Sequence, residues 1–210
     1  MPYPVTVTVQ PAIGNRDRVT TLVRFILAIP HLFLVGGASF GITFGAREGS
    51  VPSIGAEGGL LGAVAYFLAI INWFMIVITG DDVPGIRDFS TFFLRWRVRA
   101  IAYLMLLEDA YPPFGDYPYP AAVEVVAPAG PRDRVTVALR LILAIPHFIV
   151  LGFVMIGWGI TTIVAWFVIL FTGEYPAGLY EFGVGSLRWL IRLQAYLLLL
   201  VDDYPPFSLE

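Results

Sequence analysis

His31 and His147 are the only histidines of the chain, and each directly follows a proline within a long apolar run. A matched pair of imidazoles in that setting could ligate a haem iron or another metal. Neither histidine has a cysteine or carboxylate beside it to complete an ordinary metal shell, so no metal site is expected. The plainer role is hydrogen bonding. Pro30 and Pro146 leave the carbonyls of Ile26 and Ile142 without their helical donors. An imidazole close by can serve polar groups that lipid cannot. No cofactor is expected, with haem on His31 and His147 as the alternative.

Gly37-Ala38-Ser39-Phe40-Gly41 matches the Gly-x-Ser-x-Gly pattern of serine hydrolases, which requires a strand-to-helix turn. Here it falls in an apolar segment read as helix, and the second half of the chain has no counterpart. Gly37, Gly41 and Gly45 recur every four residues, a spacing that lets helices approach closely in lipid.

The acidic pairs Glu108-Asp109 and Asp202-Asp203 each follow a helical segment, where negative charge opposes the helix dipole. Ion pairs between these four acids and Arg16, Arg18, Arg132 and Arg134 are the expected compensation. Arg95 and Arg99 are four residues apart, as are Arg188 and Arg192, so each pair shares one helical face. With Trp96 and Trp189 beside them, these arginines suit a helix that lies in the membrane interface and grips anionic headgroups. Arg24 and Arg140, near the starts of apolar runs, are expected to snorkel to the headgroups.

The elements that carry these residues are duplicated. A shift of 116 residues places Arg16-Asp17-Arg18 on Arg132-Asp133-Arg134, and Ile26–His31 on Ile142–His147 without a mismatch. Further along the shift is 93: Trp73 falls on Trp166, Arg95-Trp96 on Arg188-Trp189, and Tyr111–Phe114 on Tyr204–Phe207. The first copy therefore carries about 23 extra residues between His31 and Trp73, mostly the Gly-rich stretch Gly45 to Gly59. This self-similarity defines two repeat units, 3–114 and 119–207.

Apolar residues make up 58% of the 210 and charged residues 14%, with a mean hydropathy of +0.77. A soluble core of this size could not hide that much apolar surface. The net charge of −3 argues against a nucleic-acid partner, and the absence of cysteine excludes disulfides and thiolate chemistry. The first residues, Met1 to Pro11, lack the pattern of a cleavable signal peptide.

Each unit opens on a strand candidate, Val5 to Val9 and Val123 to Val125, and the two strands could pair at the membrane surface. Two crossings are expected to follow. They lie at about Val19–Phe44 and Leu60–Thr79 in the first unit. In the second they are two halves of Val135–Thr172, divided by a Gly157-Trp158-Gly159 turn. The third element, Phe89–Leu107 or Phe182–Val201, is either an amphipathic interfacial helix or a third crossing, and the clustering of arginine on one side favours the interfacial helix. The expected fold is thus mainly α and integral to the membrane: a tandem repeat of a short strand, two transmembrane helices and one interfacial helix. It has four crossings, and the arginine distribution places both termini in the cytoplasm.

Ala28–His31 with Ala144–His147, Leu94–Trp96 with Leu187–Trp189, and the two Tyr-Pro-Pro-Phe runs resemble the bacterial membrane-protein family catalogued as domain of unknown function 4389. The resemblance spans nearly the whole chain in two copies. It implies a multi-pass protein of the bacterial inner membrane and supplies no chemistry. Gly80-Asp81-Asp82 departs from the family's pattern, in which a basic or small residue follows the glycine, and the insertion at 45–59 is unusual.

With no catalytic constellation, the expected function is a non-enzymatic scaffold or accessory subunit. Its partners would be the lipid bilayer and other membrane-protein subunits. A small carrier or channel for a lipid or hydrophobic molecule, and a haem-binding redox protein, are the alternatives.

Overall fold

The computed structural model describes residues 3–38, 42–43, 53–54 and 58–210. Chain order is β1 (Val5–Val9), α1 (Arg18–Val35), β2 (Ile42–Thr43), β3 (Ser53–Ile54), α2 (Gly59–Thr79) and α3 (Pro84–Leu104), then β4 (Ala121–Val125), α4 (Arg134–Ala138), α5 (Arg140–Thr172) and α6 (Ala177–Leu197). β1 and β4 pair antiparallel with Val7 opposite Val123, which are repeat equivalents at the shift of 116. A pseudo-twofold axis therefore passes through the middle of this strand pair. Other contacts obey it: the Arg16 amide donates to the Gly173 carbonyl at 2.9 Å, and the Arg132 amide to the Gly80 carbonyl at 3.1 Å.

α1 and α4, the short helix that leads into α5, start at the same local signal. Asp17 accepts from the amides of Val19 and Thr20, and Asp133 from those of Val135 and Thr136. A carboxylate at the N-cap satisfies donors that the first helical turn leaves open.

The second unit departs from the expected layout. Gly157-Trp158-Gly159 is not a turn but the interior of one continuous 33-residue helix, α5. Trp158 is fully buried, and Gly183 of α6 makes room for its indole. The first unit holds the same helix in two pieces. Val35, the last residue of α1, is equivalent to Leu151, and Gly59, the first of α2, is equivalent to the adjacent Gly152. Gly59, at φ +69°, abuts the backbone of Leu34 and Gly36, where a Cβ would come within 2.6 Å. The insertion thus leaves and re-enters at one point of an otherwise continuous rod. The buried stripe runs through it unbroken, as Thr21, Arg24, Ala28, His31 and Val35, then Ala65, Ala69, Asn72 and Ile76. The expected first crossing to Phe44 ends at Val35 instead. Gly37 lies in the turn beyond the helix, while Ser39, Gly41 and Gly45 lie outside the described residues.

α3 and α6 run antiparallel to these rods. Most of their residues are buried within the protein. β4 packs on α3 and β1 on α6, while α3 and α6 pack on α1, α2 and α5 and on each other. The result is three layers: a strand pair, a central helix pair and two long apolar rods.

Candidate functional site: paired arginine clusters and histidine clamps

Each rod turns its polar residues inward onto the central helices. Arg24 donates to the Tyr103 and Glu108 carbonyls at 3.1 and 2.7 Å and to Asp109 at 2.5 Å. Arg140 repeats this on the Tyr196 and Val201 carbonyls at 2.8 and 3.0 Å and on Asp202 at 3.0 Å. Each guanidinium also covers a tyrosine ring, Tyr103 or Tyr196, at 4.6 and 4.3 Å. These arginines do not snorkel; they are 0% and 2% exposed. They hold the C-terminal ends of α3 and α6, where Leu106 and Leu199 take positive φ of 64° and 62°. That conformation strains a residue bearing a Cβ, and the captured carbonyls help fix it.

The flanking arginines divide their work. Arg16 pairs with Asp109 at 2.8 Å, and Arg132 with Asp202 at 2.6 Å. Arg18 and Arg134 form no ion pair among the described residues. Arg134 donates to the Thr79 carbonyl at 2.6 Å, and Arg18 lies against Gly173. Each therefore sits at the C-terminus of the other unit's rod, where a cation meets the negative end of the helix dipole. Asp203 is exposed, and its carbonyl accepts from Tyr3 at 3.3 Å.

Glu108 breaks the symmetry, because its equivalent is Val201. It is buried, and one of its carboxylate oxygens has no partner. Burial pushes its pKa up to about 7, against the opposing pull of Arg16. The second cluster draws its extra acid from elsewhere: Asp82 lies 3.8 Å from Arg132.

The two histidines occupy closed clamps. Trp96 donates its indole N–H to Nδ1 of His31 at 3.0 Å, and Trp189 does the same to His147. Phe114 and Phe207 stack on the rings at 4.5 and 3.9 Å. Tyr111 and Tyr204 pack beside them, and the Pro112 and Pro205 backbones approach each ring. Nε2 makes no hydrogen bond of standard geometry. The Tyr-Pro-Pro-Phe runs are thus the lids of these clamps. One nitrogen is engaged and one ring face covered, and each histidine is at most 1% exposed.

The four arginines assigned to headgroups lie on the strand side instead. Arg95 and Arg99 reach Asp116 at 3.1 and 2.5 Å, whose carboxyl they hold below its ordinary range against the opposing effect of burial. Arg188 donates to the Val7 carbonyl at 3.3 Å, and Arg192 lies over the Tyr3 ring at 5.9 Å.

Arg97 carries a role that the spacing did not suggest. Arg97 donates to the Val35 carbonyl and, at 2.8 Å, to that of Gly37, and to Gln194 at 3.1 Å. The carbonyls at the broken end of α1 need donors, and Arg97 supplies them. Its equivalent beside the unbroken α5 is Leu190. The insertion and this arginine therefore belong together, a signal that was present in the repeat alignment.

One cavity of about 300 Å³ lies between the units, lined by Tyr66, Ala69, Ile70, Trp73, Phe74, Arg140, Leu141, Leu197 and Leu199. Among the described residues, no group of three histidine, aspartate or glutamate side chains could hold a metal ion.

The family model described as Domain of unknown function (DUF4389) matches residues 55–115 and 134–208. The first match begins near the end of the insertion, which separates α1 from the remainder of its unit. No curated protein matches the chain, and no solved structure does.

Proposed function

Starting from the premise that this chain belongs to the DUF4389 family, we propose that it is a non-enzymatic membrane protein. It acts as a scaffold or accessory subunit whose rods contact lipid and whose strand side contacts other subunits. One observation carries this reading. The exposed large apolar residues fall almost entirely on the two rods, from Val19 through Ile78 and from Val135 through Phe171. A contiguous apolar face of this extent calls for lipid or a partner to cover it. Three of the helices are long and apolar enough to cross a membrane. The buried arginines favour the structural role, because the groups around them are engaged in holding the central helices.

Native mass spectrometry of the protein released gently from its own membrane tests the proposal. Stoichiometric companion subunits are the expected result. A chain that emerges alone would reject it.

The cavity favours a second reading, a carrier for a hydrophobic molecule. Its volume is at the small end of the ligand-pocket range, and its walls are apolar apart from Arg140 and the Tyr66 hydroxyl. A lone chain carrying one lipid mass would support that reading over the first.

A further inference from the structure

The layer order bears on how the rods meet the bilayer. α5 is 33 residues long, about 50 Å at 1.5 Å per residue, against a hydrocarbon thickness of about 30 Å. Its exposed apolar residues extend from end to end: Leu141 is 57% exposed, Phe153 73% and Phe171 78%. A helix standing upright would carry apolar groups at both ends beyond the hydrocarbon.

The charges add a second constraint. Arg95 and Arg188 directly precede Trp96 and Trp189, which bond His31 and His147. His147 lies about two and a half turns from the midpoint of α5. Arg95 and Asp116 are 43% and 40% exposed. Glu124, Thr6 and Thr8 on the strand pair are exposed too, and the pseudo-twofold axis runs through that pair. An upright molecule would hold these groups within the depth of the hydrocarbon, where an ionised side chain is costly.

Laid flat, both conflicts disappear. The apolar face of the rods then meets lipid along its whole length, and the strand side meets water. Arg18 and Arg134, both exposed, stand at the two ends of the slab, placed to reach phosphates. Tyr111, Phe114, Tyr204 and Phe207 are the exposed aromatics beside the rods, at the border where such rings favour the membrane interface.

We infer that the rods lie in the membrane plane, seated in a single leaflet, with the pseudo-twofold axis along the bilayer normal and the strand pair in water. The occupant of the apolar face is a lipid leaflet. This inference rests on the membrane reading proposed above, and it replaces four crossings with none.

The chain has no native cysteine, which makes site-directed labelling clean. Asp81 and Glu174 are exposed and follow the ends of the two antiparallel rods, at opposite ends of the slab. The Asp81→Cys/Glu174→Cys double variant would be reconstituted in sealed liposomes, floated, treated with a membrane-impermeant maleimide, and weighed intact. The flat arrangement predicts molecules with two labels or none. Molecules carrying one label would overturn it, because the two ends would then lie on opposite sides. Protein that fails to float with the vesicles would overturn the membrane reading as well, so the two failures are distinct. Full labelling at both sites in detergent checks that each cysteine is reactive.

Discussion

Single residues in this protein are best understood against their repeat equivalents. Trp158 fills the space that Ala65 leaves in the other unit, and Gly183 stands where that unit has Ser90. A Cβ at Gly183 would lie 2.9 Å from the Trp158 indole nitrogen and 3.0 Å from Leu107. Gly183→Ala should therefore cost about 1–3 kcal/mol through overpacking, read as a lowered melting temperature in detergent. Trp158→Ala in the same background should relieve the clash with the indole.

The histidine clamps predict a loss of similar size. Trp96→Phe leaves Nδ1 of buried His31 without its donor, at a cost of about 1–3 kcal/mol, and Trp189→Phe should behave alike. Glu108 predicts a pH effect. Its folded pKa, raised by burial to about 7, exceeds its unfolded value. Its contribution is thus fully present below the unfolded pKa and is lost as pH rises through 7. Glu108→Val, which copies the second unit, should raise the melting temperature at pH 8 and change it little at pH 4.

At the scale of elements, the strand pair and the two repeat units could be read from Val-Thr alternation and from the repeated motifs. The continuity of α5 could not. Gly157 and Gly159 carry the signal of a turn, and only the packing of Trp158 against α6 turns that signal into helix interior. The burial of α3 and α6 was equally hidden, because arginines four residues apart look the same on an interfacial helix and on one pressed against a polar strand pair. Arg24 and Arg140 read as surface residues by their place near a helix start. Their partners, carbonyls in the last turns of α3 and α6 and just beyond them, are some 80 and 60 residues away. The joint logic of Arg97 and the insertion makes an element-scale prediction. Deleting 36–58 together with Arg97→Leu should restore one continuous rod and retain a cooperative fold. The deletion alone should be much less stable, since Arg97 then loses its acceptors at the end of α1 in a buried setting. Thermal melts of the two variants side by side check this.

The whole molecule is a slab with unlike faces: rods covered in exposed apolar groups on one side, charged and hydrogen-bonded strand-side residues on the other. Arg24, Arg97 and Arg140 are buried between them, engaged in holding the two layers together. In the arrangement inferred from its charges and apolar face, this slab rests flat in one leaflet. Spin labels at Leu141→Cys, Phe153→Cys and Phe171→Cys sample the start, middle and end of α5. Their relative accessibility to oxygen and to a polar nickel chelate in liposomes reports depth most directly. The flat slab predicts nearly equal depths at the three positions. A deep label at 153 between shallow labels at 141 and 171 would mean that the helix crosses the bilayer, and would contradict the account.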